Sequence, residues 1–376
     1  MIERKDIKKA KRIVVKIGSS IITDKADVID ESFLDSLAKQ VLQLVKKGKE
    51  IVIVSSGAVA AGMMVLKLKE KPKKISEKQA VAACGQGYLI HKYSEIFSRY
   101  GLIVAQILLT SEDIAVRTRY LNAKNTLENL ISKKIIPIIN ENDTVATKEI
   151  KLGDNDNLSA EVACIIDADL LVILSDVEGF YDKDPRENSD AKVISVVNNI
   201  EKYLKRASSK AGSNVGTGGI YTKLEAAKKT IVVGIPAVLA KGREEKVLLK
   251  ILEGKDVGTL FCPGERKISH KKYFIAFNVK PKGKLFIDKG AMEAITKKGK
   301  SLLPSGIQDV SGSFKAGDVV DIVYEKDVIA RGLINYNLLE VEKIKGQRSS
   351  EIEKILGYRY DDEVVHRNNM VLVKDI

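Results

Sequence analysis

A series of short apolar runs constrains this 376-residue chain more than any other feature. RIVVKI at 12–17, IVIV at 51–54 and LLVIL at 170–174 lack the apolar–polar alternation of a strand with one wet face. Each reads as a strand buried on both faces. Further strands are expected at Ile103–Leu108, Ile135–Ile139 and Ile231–Leu239. Helical patterns separate most of them. In Phe33–Lys47 the apolar residues Leu34, Leu37, Ala38, Val41 and Val45 recur at helical spacing, with Asp30 or Ser32 as cap and Gly48 as stop. A helix of small residues is expected from about Ala58. Buried strands alternating with helices predict an α/β fold: a mainly parallel sheet with helices on both faces, an α/β/α sandwich.

Near residue 260 the texture changes. Short segments follow, broken by turn signals such as Pro281-Lys282-Gly283, Asp288-Lys289-Gly290 and Lys315-Ala316-Gly317-Asp318. Val319–Tyr324 and Val328–Ala330 read as short strands of a small β-rich domain. The boundary is placed within Gly264–Lys272, giving domains 1–264 and 272–376. The formal net charge of +13 is spread almost evenly over both parts, so charge marks neither as a nucleic-acid module. Cys84, Cys164 and Cys262 stand singly, without metal or redox spacing. The charged segment Met1–Arg12 has no signal-peptide character, and no apolar run is long enough to span a bilayer. A cytoplasmic protein without a membrane segment is expected.

Familiar phosphate motifs are missing. There is no GxxxxGK(S/T), no GxGxxG after the first strand and no protein-kinase signature. The three histidines, His91, His270 and His366, sit in no triad context. Chemistry therefore falls to Lys, Asp, Asn, Ser and backbone N–H groups, an inventory suited to phosphoryl transfer. Five segments follow strands or turns, where open α/β sheets place ligands. Lys16-Ile17-Gly18-Ser19-Ser20 offers an ammonium and backbone donors, or is an ordinary turn. Ser55–Gly62 opens a helix suited to an anion, or packs closely against the sheet. Ile139–Asp143 and Gly153–Asn157 are dense in short acidic and amide groups that bind an ammonium, orient lysines, or serve as caps and turns. Gly216–Lys223 lets backbone approach a phosphate, or is a surface loop.

Taken together, KIGSS (16–20), SSGAVAAG (55–62), INENDTV (139–145), GDNDNLSA (153–160), LSDVEGFYDKDP (174–185) and GTGGIYTK (216–223) resemble the amino acid kinase family, specifically its glutamate 5-kinases. GTLF (258–261), SLLPSGI (301–307) and Gly312–Gly317 resemble the PUA domain that many bacterial members carry. The resemblance implies that ATP phosphorylates the side-chain carboxylate of L-glutamate, with Mg²⁺, as the first step of proline synthesis. It implies roles as well. Lys16 and Lys223 lie along the transferring phosphoryl group, and Asp156 holds the two lysines. Ser56, Asp143, Asp154 and Asn155 bind glutamate. Lys16, Gly18, Ser19, Ser175, Asp176 and the loop Thr217, Gly218, Gly219, Ile220, Tyr221, Thr222, Lys223 bind the nucleotide. No protein-held metal site is expected. Members often carry Thr at the position of Ser175 and Met at that of Ile220, and after Arg367 an Asp is more common than the Asn368 found here. The resemblance further implies proline as an inhibitor, a homo-oligomer (dimer or tetramer) and a separate glutamyl phosphate reductase. RNA is a partner of PUA domains elsewhere, though the charge distribution gives it no support here. A related carboxylate kinase such as an acetylglutamate kinase is the nearest alternative.

This chemistry suits the residues. A glutamate side chain, with a pKa of about 4.3, is already ionised at neutral pH and needs no general base. The obstacle is repulsion between two anions, which lysines and backbone donors relieve.

Overall fold

The computed structural model describes residues 2–23, 28–146, 154–204, 218–264 and 268–373. The chain divides into two compact units, Met1–Lys267 and Ile268–Ile376.

The first unit is built on eight strands: β1 (Arg12–Ile17), β2 (Glu50–Val54), β3 (Val104–Leu109), β4 (Ile136–Glu141), β5 (Leu170–Ser175), β6 (Val196–Val197), β7 (Ala237–Lys241) and β8 (Thr259–Phe261). Their spatial order is β3-β4-β2-β1-β5-β7-β8-β6. Every neighbouring pair is parallel except β7 with β8. The apolar runs supply the central strands, and β5 is buried along its whole length. Alternate side chains of β1 serve opposite faces. Ile13, Val15 and Ile17 join one core with helices α2 (Glu31–Lys46) and α4 (Ile75–Ser98). Lys16 points the other way, toward α7 (Asp154–Ile165) and α8 (Gly218–Val232). Other helices described in this unit include α1 (Ser19–Ile22), α3 (Ala58–Val65), α5 (Ser111–Ala115), α6 (Arg117–Ser132) and α9 (Val247–Leu252).

Helix α2 follows its sequence signals. The Asp30 carboxylate accepts from Phe33 N at 3.0 Å, so Asp30 is the cap, and Gly48 at φ +78° follows the helix end. Two expectations need correction. Ile231 and Val232 are the last residues of α8, not the start of a strand, and Gly234 at φ +92° separates that helix from β7. A short apolar run alone cannot distinguish a buried strand from a buried helical turn. The GTLF segment, matched above with the C-terminal domain, forms β8 and its approach in the first unit.

Near the chain start, Arg4 is clamped to the end of this unit. Its guanidinium donates to the carbonyls of Ser195 (2.7 Å), Val257 (2.9 Å) and Gly258 (2.6 Å), and pairs with Asp256 at 3.0 Å.

The second unit carries five strands: β9 (Gly283–Ile287), β10 (Ile307–Gly312), β11 (Val319–Tyr324), β12 (Asp327–Leu333) and β13 (Met370–Leu372), in the order β10-β9-β11-β12-β13. Only β9 and β11 are parallel among these pairs. Leu285, Ile287, Ile295, Leu302, Ile322, Tyr336, Val341 and Val365 belong to its own core. Among the described residues, no helix is long and apolar enough to cross a membrane.

Candidate active site

Strand order sets the place of the site. From β1 the chain lays β2 beside it, goes out to β3 at the edge, fills the gap with β4, then returns to lay β5 on the other flank of β1. Loops leaving β1 and β5 therefore diverge, which opens a crevice at their carboxyl ends. Lys16 sits there, with Val54 of β2 and Ile173 of β5 as its register partners. Gly18 N donates to Leu174 O at 3.1 Å, tying the start of the loop after β1 to the end of β5. Gly18 lies beside the ammonium: a Cβ there would stand 3.8 Å from Lys16 Nζ.

One residue of α7 meets Lys16, and two residues of α8 meet that residue in turn. Asp156, in the first turn of α7, is fully buried. Its Oδ1 lies 2.5 Å from Lys16 Nζ and its Oδ2 lies 3.4 Å from Lys223 Nζ. Thr222 donates its hydroxyl to the same Oδ2 at 2.7 Å. Lys223 also donates to Gly219 O at 2.9 Å, within its own helix. This helix begins at Gly218, six residues before Leu224, so the GGIYTK stretch forms its opening turns rather than a loop before it.

The electrostatics follow from burial. Desolvation pushes the Lys16 ammonium below its ordinary value; Asp156 opposes that shift and Lys223 adds to it. Desolvation alone would raise the Asp156 carboxyl. The charges of Lys16 and Lys223, with hydrogen bonds from Lys16 and Thr222, outweigh it and hold the group below the usual carboxylate value. The result is a dry carboxylate fixing two lysines, of which Lys223 keeps the greater exposure.

Beside this triad lies an amide cluster. Asn155 Nδ2 donates to Ser55 O (2.9 Å), Ser56 Oγ (3.0 Å) and Asn140 Oδ1 (3.0 Å). Asn140 in turn donates to Gln86 Oε1 at 2.8 Å and accepts from Glu141 N at 2.9 Å. Gly57, at φ +97°, turns the chain from β2 into α3 and places Ser56 here; a Cβ would also meet Ile22 Cγ2 at 2.8 Å. Asn140, at the end of β4, and Gln86, in α4, were not singled out from the sequence. Asn140 stood inside a quoted motif. Gln86 carries no local signal, because tertiary packing alone brings it to Asn140.

The other candidate residues are placed as follows. Ser175, buried at the end of β5, donates to the exposed Asp176 at 2.9 Å. Ser19 is exposed at the start of α1, and Asp143 lies in the turn after β4. Tyr221 donates to Glu225 of its own helix at 2.8 Å, and Ile220 is half-buried beside it. Thr217 and the side chain of Asp154 lie outside the described residues. No cluster of three or more His, Cys, Asp or Glu side chains fit to hold a metal occurs among the described residues. The oxygens of Asp156 are already engaged by the two lysines and Thr222.

Comparison with known proteins adds an independent line. Residues 11–241 match the amino acid kinase family and residues 283–356 match the PUA domain. The glutamate 5-kinase of Thermoanaerobacter sp. (strain X514) is 50% identical over 364 residues, covering 96% of this chain and 98% of that one. That of Geobacter sp. (strain M21) is 48% identical over 368 residues, covering 98% and 99%. A solved UMP kinase from Bacillus anthracis overlays 68% of this chain and 96% of its own at 17% identity, with a TM-score of 0.46.

Proposed function

Because this chain belongs to the amino acid kinase family and aligns over nearly its whole length with glutamate 5-kinases, we propose that it transfers the γ-phosphoryl group of ATP to the side-chain carboxylate of L-glutamate. A glutamate oxygen attacks the γ-phosphorus, the bond to the β-phosphate oxygen breaks, and ADP leaves as L-glutamyl 5-phosphate forms. The observation that carries this reading is the buried Lys16–Asp156–Lys223 triad at the switch between β1 and β5.

Each part of the triad has a task in that reaction. Lys16 and Lys223 neutralise charge that would otherwise keep the two anions apart and that grows on the leaving oxygen. Asp156 keeps both ammonium groups aimed at one point, so no reorganisation is needed when charge shifts. The N-terminus of α8, with Gly218 and Gly219, adds backbone donors for phosphate oxygens. Ser56, Asn155 and Asp143 form the glutamate pocket in this reading, with Asp154 beside them. Gly18, Ser19, Ser175, Asp176 and the segment from Thr217 to Lys223 hold the nucleotide. Magnesium, brought by the nucleotide, supplies further neutralisation of the phosphate chain. The acyl phosphate product is reactive and calls for a reductase that consumes it, consistent with a first step of proline synthesis. Proline inhibition and a homo-oligomeric state extend the reading on family resemblance.

A hydroxylamine trap with ATP and magnesium tests it. Hydroxamate from L-glutamate, but not from aspartate or N-acetylglutamate, is the expected result, with less formed in saturating proline. Hydroxamate from another acid instead overturns the substrate. Equal yield with and without proline removes the inhibition.

A further inference from the structure

The amide cluster has a direction. Asn140 Oδ1 accepts from the backbone N–H of Glu141, which can only donate. The other end of Asn140 is therefore its NH₂ group, and this donates to Gln86 Oε1. Asn155 must then present its own NH₂ to Asn140 Oδ1 and to the carbonyl of Ser55, which can only accept. Flipping Asn155 would set its oxygen against two other oxygens. The orientation leaves Asn155 Oδ1 buried with no hydrogen-bond partner among the described residues. A buried acceptor without a donor is costly, and such an atom in a native protein calls for an explanation.

From this geometry we infer that Gln86 is a positioning residue: acting through Asn140, it turns the Asn155 carbonyl toward the substrate's ammonium group. The inference rests on the glutamate reading of the site. An ammonium supplies the donor that Asn155 Oδ1 lacks, and a substrate without one leaves that oxygen unsatisfied. Gln86 acts only as an acceptor in this relay, so a carboxylate in its place does the same work and an aliphatic side chain does not.

The test compares Gln86→Leu with Gln86→Glu in the full-length protein, using the hydroxylamine trap. Gln86→Leu removes the acceptor of the Asn140 NH₂ and leaves the Glu141 N–H alone to hold the outer side of that amide, loosening it. It is expected to raise the KM for L-glutamate roughly tenfold, the scale of one lost buried hydrogen bond, while kcat and the KM for ATP stay within about twofold. Gln86→Glu is expected to recover most of that loss. A Gln86→Leu enzyme with unchanged glutamate KM overturns the relay. So does an equal KM rise in both variants, or a joint fall in kcat and ATP affinity, which marks a general disturbance of the fold. Each of these outcomes presupposes a wild type that makes glutamyl hydroxamate. A wild type that makes none overturns the underlying reading, and the relay's role falls with it.

Discussion

Asp156 keeps its charge in full burial because two ammonium groups and a hydroxyl surround it. The two lysines are not equivalent. Lys16 is almost wholly buried and 2.5 Å away; Lys223 is more exposed and 3.4 Å away. Removing Lys16 leaves a buried carboxylate short of its nearer partner. Lys16→Met is therefore expected to destabilise the protein by about 3–5 kcal/mol besides abolishing most turnover. Lys223→Met is expected to lose roughly 10²–10³ in kcat with a clearly smaller fall in stability. Urea unfolding and steady-state kinetics on the two variants check this, and equal stability losses would contradict the asymmetry. The sequence offered both lysines and Asp156 as candidates because each stood in a Gly- or Asn-rich segment after a strand or at a helix start. It did not show that Thr222 serves Asp156, nor that Gln86 reaches Asn140. Those contacts join residues 66 and 54 positions apart, and no local pattern encodes them.

At the scale of elements, the small residues after β2 turn out to serve a helix crossing. A Cβ on Gly62 would lie 1.8 Å from Val81 O, and one on Gly85 would lie 1.9 Å from Ala58 O. Helices α3 and α4 therefore touch backbone to backbone, and α3 begins two residues beyond Ser56. Gly85→Ala is expected to force the pair apart, costing at least about 1–3 kcal/mol and raising the glutamate KM more than the ATP KM. A Cβ added to Gly87, in the same helix, would have open space around it. Gly87→Ala is expected to stabilise by up to about 1 kcal/mol through helix propensity alone. Thermal melts and kinetics of both variants test the contrast; equal effects would remove the crossing as the cause. A helix of small residues from about Ala58 was legible, but not its partner, because α4 is too weakly amphipathic for its contact face to be read. Strand β7 was misplaced for a related reason: Ile231–Val233 and Ile235–Leu239 look like one apolar run until Gly234 is seen to stop a helix.

For the molecule as a whole, every candidate site residue belongs to the first unit, and each unit has its own apolar core. A chain ended after Lys267 is expected to fold and to retain measurable phosphoryl transfer to glutamate. Loss of activity in a folded truncation would show that the second unit contributes to the reaction. The Arg4 clamp carries a different kind of consequence, one of timing. Its carbonyl acceptors at Val257 and Gly258 lie 253 and 254 residues further along the chain. At a synthesis rate of about 5–20 residues per second, the guanidinium waits roughly 13–50 s for them. For the earlier part of that interval, until residues 170–175 emerge, β1 also lacks β5, while β2, β3 and β4 can already assemble on its other side. The first residues to leave the ribosome are thus among the last to be fixed, and a translating chain exposes one flank of its central strand until β5 has emerged, roughly two-thirds of the way through the first unit.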